Sequence, residues 1–276
     1  MSEAAGGAEG FKAFEAQGWG KRAGTYADVL GAMTARIAEP LLDAAGVRHG
    51  MRVLDVATGP GYAAERAATR GAHPIGIDIA EGMLEVARAR QPELDFRWGD
   101  AERLPFEDSS FDAVIGGFVL NHLPHPERAM DETARVLHPG GSVAFSVWDR
   151  PERNRINGVV ADAIDDVGVE RPAELEGGPD SYRFADDAEF EALLGEAGID
   201  EVEVETLSLT LSVPEADTYW RGFMGSSVRI RAVIDAQPED VRAQIREAVE
   251  HRIEVYRRRD GFELPAVVKL ASGRRE

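Results

Sequence analysis

Between residues 51 and 148 the chain alternates short apolar runs with amphipathic stretches, and this rhythm limits the fold more than any other feature. Met51–Ala57, His73–Ile77, Leu94–Gly99, Phe111–Gly117 and Ser142–Trp148 read as strands. Tyr62–Arg70, Glu81–Arg90 and Pro126–Leu137 read as helices. Apolar strands separated by helices predict a parallel sheet covered on both faces, an α/β doubly wound architecture. After Trp148 the rhythm changes. Residues 149–182 are polar and punctuated by Gly and Pro, so they read as an insertion. Ala185–Ala197 reads as a helix stopped by Gly198, Val202–Val213 as an alternating strand, Asp217–Asp260 as mostly helical, and Phe262–Ala271 as a last strand. Upstream, Val29, Met33, Ile37 and Leu41 recur every four residues, which predicts one amphipathic helix over Tyr26–Ala45. The small, Gly-rich first ten residues are expected to be mobile.

Charge and composition narrow the function. The chain of 276 residues carries 31 basic against 50 acidic side chains, a formal net charge of −19. A phosphate backbone needs a basic footprint, so nucleic acid is not an expected partner. Cysteine is absent, which excludes disulfides, thiolate metal sites and a cysteine nucleophile. No apolar run reaches the ~18 residues of a membrane span, and the expected location is cytoplasmic. Acidic residues crowd 161–217, where only Arg171 and Arg183 oppose them. Glu201, Glu203 and Glu205 alternate with Val202 and Val204, the pattern of a half-exposed strand with its carboxylates in water.

Ligands of open α/β sheets bind where strands end and helices begin. VLDVATGPGY, Val53 to Tyr62, runs a buried strand into a turn holding Gly59 and Gly61, and the following helix start offers free N–H groups to an anion. GIDIAEGML ends the next strand with Asp78. Its carboxylate can accept hydrogen bonds from both hydroxyls of a ribose, or it can cap the helix beginning near Glu81. Gly99 and Asp100 follow the third strand, and Asp100 could accept from an exocyclic amino group. RVLHPGG, Arg135 to Gly141, ends a helix and feeds the next strand.

The order and spacing of these segments resemble the class I S-adenosylmethionine-dependent methyltransferases, in particular the small-molecule group that includes ubiquinone and menaquinone biosynthesis enzymes. The resemblance implies a Rossmann-like, doubly wound, seven-stranded, mostly parallel sheet, with residues 1–148 forming a cofactor-binding core with N-terminal lid helices. Residues 149–276 would complete the sheet, with insertions at about 149–182 and 214–260 capping the acceptor pocket. It also implies S-adenosylmethionine as cofactor. Asp55, Ala57, Gly59 and Gly61 would surround its methionine portion, Asp78 with Met83 nearby its ribose, Asp100 and Ala101 its adenine, and Phe118 the pocket wall. Trp19 and Tyr26, in WGKRAGTYAD, resemble a lid. One departure is visible: Ala57 stands where the family's GxGxG begins with glycine. TGPGYAAE also lacks the third glycine of a GxGxxG dehydrogenase turn.

Methyl transfer asks mainly for alignment, with a base only where the acceptor is protonated at neutral pH. His122, in NHLPHP after the fourth strand, is the candidate, as a base or in a structural role. Tyr182, Tyr219, Trp220, Phe223, Met224 and Tyr256 are candidates for an aromatic acceptor pocket. His122 and His125 are separated by Leu-Pro, which breaks a helical ligand face, so no metal is expected. The expectation is an enzyme transferring a methyl group to an aromatic or polyketide-like small molecule, as a monomer or homodimer. The alternatives are a cofactor-binding protein of the same fold that catalyses another reaction, and a sensor.

Overall fold

The computed structural model describes residues 2–26, 30–169 and 178–276. One sheet holds eight strands: β1 (Arg52–Val56), β2 (His73–Asp78), β3 (Asp95–Trp98), β4 (Phe111–Gly117), β5 (Leu137–Trp148), β6 (Ile199–Val213), β7 (Arg257–Arg258) and β8 (Gly261–Arg275). Their order is β3-β2-β1-β4-β5-β8-β6, with the two-residue β7 pairing β8. Strands β1 to β5 are parallel, and β8 runs antiparallel between β5 and β6. The order reverses between β1 and β4, so the crevice at their carboxyl ends is the topological switch point where such sheets take ligands.

Neighbouring strand residues serve opposite cores, as period-two alternation requires. Leu54, Ile77, Val114 and Phe145 face α6 (Pro126–Val136) and α8 (Asp187–Glu196). Val53, Ile115 and Ala144 face Ile37, Leu41 and Leu42 around α3 (Ala38–Ala44), with Ala67 of α4 (Tyr62–Thr69). α5 (Glu81–Arg90) follows β2. A third core joins α7 (Arg155–Val167), α9 (Ala216–Ser226), α10 (Arg229–Asp235) and α11 (Glu239–Ile253) to the projecting ends of β6 and β8. The carboxylates of Glu201, Glu203 and Glu205 are exposed on edge strand β6.

Four expectations change. Residues 2–10, expected to be mobile, fall within helix α1 (Ser2–Tyr26). The helix expected over Tyr26–Ala45 is broken into α2 (Leu30–Thr34), a 3₁₀ turn and α3, and Val29 of its apolar stripe lies outside the described residues. Strand β5 begins at Leu137, directly after α6; its pairing jumps from Phe111↔Leu137 to Ala113↔Ser142, so His138–Gly141 bulge out. The 149–182 insertion contains α7, whose Ile156, Val159, Val160 and Ala163 are buried; residues 170–177 of that stretch lie outside the described residues. Among the described residues no helix is long and apolar enough to cross a membrane.

Candidate active site

A cavity opens at the switch point, and its floor is the turn after β1. Ala57 and Gly59 both take left-handed conformations, at φ 54° each. The alanine therefore occupies a backbone shape natural to glycine, at a cost of roughly 1 kcal/mol, and the departure from GxGxG leaves the turn intact. Asp55 holds that turn. It is 2% exposed, and its Oδ2 accepts from Thr58 Oγ1 at 2.6 Å and from the Ala64 amide at 3.1 Å. Burial pushes its carboxyl up to about 7, against the hydrogen bonds from Thr58 and Ala64. Gly61 does not line the cavity: at φ 82° it starts α4, and a Cβ there would come 2.7 Å from the Phe96 ring.

Asp78 closes β2 beside this turn. Its Oδ2 accepts from the Gly59 amide at 2.9 Å and its Oδ1 from the Ala80 amide at 2.8 Å. The helix cap itself is Ala80, so Asp78 ties two loops together across the cavity rather than capping α5. A carboxylate offers about four acceptor sites, so Asp78 keeps room for a further donor beside the Gly59, Ala80 and Ile79 amides. Burial raises this carboxyl to about 6, although backbone N–H groups and His122 oppose the rise.

One face of α1 forms the opposite wall. Lys12, Glu15, Trp19 and Tyr26 follow the helical repeat and all line the cavity. The helix sits close to α5 because Gly20 meets Gly82: a Cβ on Gly82 would lie 2.6 Å from the Gly20 carbonyl oxygen. Lys12 Nζ lies 2.8 Å from both Asp100 Oδ2 and Glu102 Oε2. Burial alone would lower its ammonium, but the bonds to Asp100 and Glu102 outweigh that and raise it. The other Asp100 oxygen accepts from the Glu102 amide. Tyr26 shares a hydrogen bond with Thr34 at 3.0 Å, and burial lifts its phenol to about 12.

The remaining wall is aromatic. Phe118 and Trp148, at the ends of β4 and β5, stack with centroids 4.2 Å apart. Phe118 is held at φ 59°, and strain of this kind gathers at functional positions. His122 follows in a 3₁₀ turn. Its ring meets Trp19 edge-on at 5.3 Å, and its Nδ1 lies 3.2 Å from Glu15 Oε2. The same Oε2 accepts from Trp19 Nε1 at 2.9 Å.

The cavity therefore gathers Trp19, Tyr26, Asp55, Ala57, Gly59, Asp78, Met83, Asp100, Ala101, Phe118 and His122. The expected acceptor residues are not among its lining. Tyr219 and Phe223 are 1% exposed in the third core, where the Tyr219 hydroxyl donates to the Ile156 carbonyl. Trp220, Met224 and Tyr256 pack against that core, while Tyr182 lines a separate surface cleft with Arg150 and Asp186. Their apolar character came from packing the cap. Lys12, Glu15, Thr58 and Trp148 escaped the sequence reading, and the spacing of 12, 15, 19 and 26 was the signal for two of them.

Residues 54–145 match the methyltransferase domain family. The chain is 42% identical over 125 residues to a demethylmenaquinone methyltransferase of Renibacterium salmoninarum, covering 45% of this chain and 53% of that protein. It is 30% identical over 226 residues to an uncharacterized protein of Mycobacterium tuberculosis, covering 79% and 80%. The fold matches phosphoethanolamine N-methyltransferase 2 of Haemonchus contortus at a TM-score of 0.53 and 17% identity, covering 87% of this chain and 53% of that one. The match to the demethylmenaquinone enzyme spans about half of that protein's length. The chain belongs to the class I S-adenosylmethionine-dependent methyltransferases.

Proposed function

We propose that this protein transfers a methyl group from S-adenosylmethionine to a hydroxylated aromatic or polyketide-like small molecule. The observation that carries the reading is one cavity in which the turn after β1, the Asp78 carboxylate and an aromatic wall face each other. The residues fit the cofactor on two counts. A Cβ built on Gly59 would meet nothing within 4 Å among the described residues, so the turn leaves open space beside its backbone. Asp78 is buried, yet its carboxylate has bonding capacity left after the Gly59, Ala80 and Ile79 amides.

In this reading Asp78 takes the ribose hydroxyls, with Met83 beside it. Asp100 and Ala101 meet the adenine, and Asp55 with Ala57 and Gly59 shapes the place of the methionine portion. Trp19 and Tyr26 cover it from α1. The cofactor, when bound, supplies a methyl group already activated on a sulfonium. Phe118, Trp148 and Trp19 orient a flat acceptor and exclude water, and alignment of this kind supplies most of the rate. His122 stands at the same wall to take a proton from the acceptor. Residues 149–276 complete the sheet and brace the cap above the cavity.

Calorimetric titration with S-adenosylmethionine and S-adenosylhomocysteine tests the binding half, and both are expected to occupy one site. Absence of heat with both ligands refutes the reading. Mass-spectrometric screening of phenolic acceptors for a methyl gain and for S-adenosylhomocysteine separates transfer from cofactor binding without methylation.

A further inference from the structure

Glu15 is the feature that the proposed function leaves unexplained. A carboxylate 3% exposed lies on a helix that lines the cavity, and its Oε1 has no hydrogen-bond partner among the described residues. Burial of this kind is costly unless the charge meets a partner. The groups that face it are the His122 imidazole, the Trp19 indole N–H and the nearby Arg22 guanidinium on its own helix; Lys12 one turn away is committed to Asp100 and Glu102. Trp19 Nε1 can only donate, so Oε2 acts as an acceptor at that corner. An unprotonated Nδ1 at 3.2 Å would set a lone pair against the same oxygen. With Glu15 ionised, this geometry puts the hydrogen on Nδ1 and leaves the lone pair of neutral His122 on Nε2.

We propose that Glu15 is a positioning residue that fixes His122 in its Nδ1–H tautomer, so that Nε2 is the base for an acceptor with a phenolic hydroxyl. This rests on the methyl-transfer reading above. In the step, the acceptor O–H proton passes to Nε2 and the freed oxygen pair forms the bond to the methyl carbon. The sulfur–methyl bond breaks, its electron pair stays on sulfur, and the sulfonium becomes a neutral thioether. His122 becomes an imidazolium paired with Glu15 and returns its proton to water after product leaves. The aromatic wall of Phe118, Trp148 and Trp19 accommodates the ring that bears such a hydroxyl.

The test is nitrogen NMR of protein labelled with ¹⁵N-histidine, loaded with S-adenosylhomocysteine, at a pH where His122 is neutral. His122→Gln assigns the signal. Wild type is expected to show Nδ1–H. Glu15→Ala is expected to shift the population to Nε2–H, the tautomer that free imidazole side chains favour, and Glu15→Gln to retain Nδ1–H because its amide oxygen still accepts. An Nε2–H tautomer in wild type, or an unchanged tautomer in a folded Glu15→Ala protein, overturns the assignment. If Glu15→Ala does not fold, wild type and Glu15→Gln still decide it. A second arm adds 4-nitrophenol to the loaded protein at the same pH, where free phenol and phenolate coexist. The bound phenolate fraction, read from its absorption band, is expected to be higher in wild type than in His122→Gln; equal fractions overturn the phenolic acceptor. Failure of S-adenosylhomocysteine to bind wild type, read by calorimetry, instead refutes the methyl-transfer reading.

Discussion

Replacing Asp55 by Asn tests the electrostatics of the cavity floor directly. Asp55 sits at the end of β1 with almost no exposure, and its carboxyl rises from an ordinary 3.8 to about 7, chiefly through burial. Such a rise corresponds to roughly 4 kcal/mol at 1.36 kcal/mol per unit. Because the folded value is the higher one, the native state holds more protons than the unfolded chain between those limits. Stability from this group is thus present below about pH 4 and is lost as pH climbs through about 7. Asparagine keeps the shape and a carbonyl for Thr58 and Ala64, but it never ionises. Urea unfolding of the ligand-free protein should find Asp55→Asn close to wild type near pH 4 and more stable by up to ~4 kcal/mol above pH 7. The same variant should bind S-adenosylmethionine more weakly, since a buried anion facing a cationic ligand recovers part of its burial cost. A stability difference that does not change with pH, or an asparagine variant less stable above pH 7, would refute this account.

Other expectations follow from the same geometry. Asp78→Ala should weaken S-adenosylhomocysteine binding about 10- to 150-fold, the loss of one charge-assisted hydrogen bond, with Asp78→Asn milder; equal affinities by calorimetry would limit Asp78 to joining Gly59 and Ala80. Ala57→Gly should raise stability by roughly 0.5–1 kcal/mol in urea, because the left-handed shape costs an alanine more than the glycine loses in chain entropy; a loss of stability would show that the methyl group packs usefully. Hydrogen exchange in α1 and in the described part of 149–182 should slow when S-adenosylhomocysteine binds, as a lid over the carboxyl edge requires, and unchanged protection in both would remove the lid. His122→Ala should lower turnover on a phenolic acceptor by ~10²–10⁴-fold with cofactor affinity nearly unchanged, whereas a loss below about tenfold would leave alignment as the only contribution.

The sheet was legible because its strands are apolar on both faces and its turns carry glycine, two signals that act over a few residues. Asp55, Asp78 and Asp100 were legible for the same reason: each ends or follows a strand whose direction fixes where the carboxylate stands. The cap was not. Tyr219 and Phe223 look like a pocket in sequence because an aromatic stripe on α9 is the same whether it faces a ligand or Ile156 and Val249. Only the packing of α7 and α11 decides that. N-terminal lid helices were expected from the resemblance, but the extent of α1 from Ser2 was not legible, because Gly6, Gly7, Gly10, Gly18, Gly20 and Gly24 lower its intrinsic propensity. Tertiary contact overrides that cost where Gly20 lets α1 approach Gly82.

That close approach also explains how one helix reaches the whole length of the cavity. A larger residue at position 82 would push α1 outward, since its Cβ would meet the Gly20 carbonyl oxygen at 2.6 Å. With the helix seated, residues spaced by whole turns fall in line: Lys12 on Asp100 and Glu102, Glu15 and Trp19 on His122, and Tyr26 on Thr34. The first contact lies at the end assigned to adenine, the second at the aromatic wall, and the third beside the turn after β1. Seating α1 thus brings the Lys12 ion pairs, the Glu15–His122 contact and the Tyr26–Thr34 bond to the cavity together, and in the proposed reading the tautomer of His122 and the roof over the cofactor depend on the same helix. An active site assembled this way binds and excludes water as a unit.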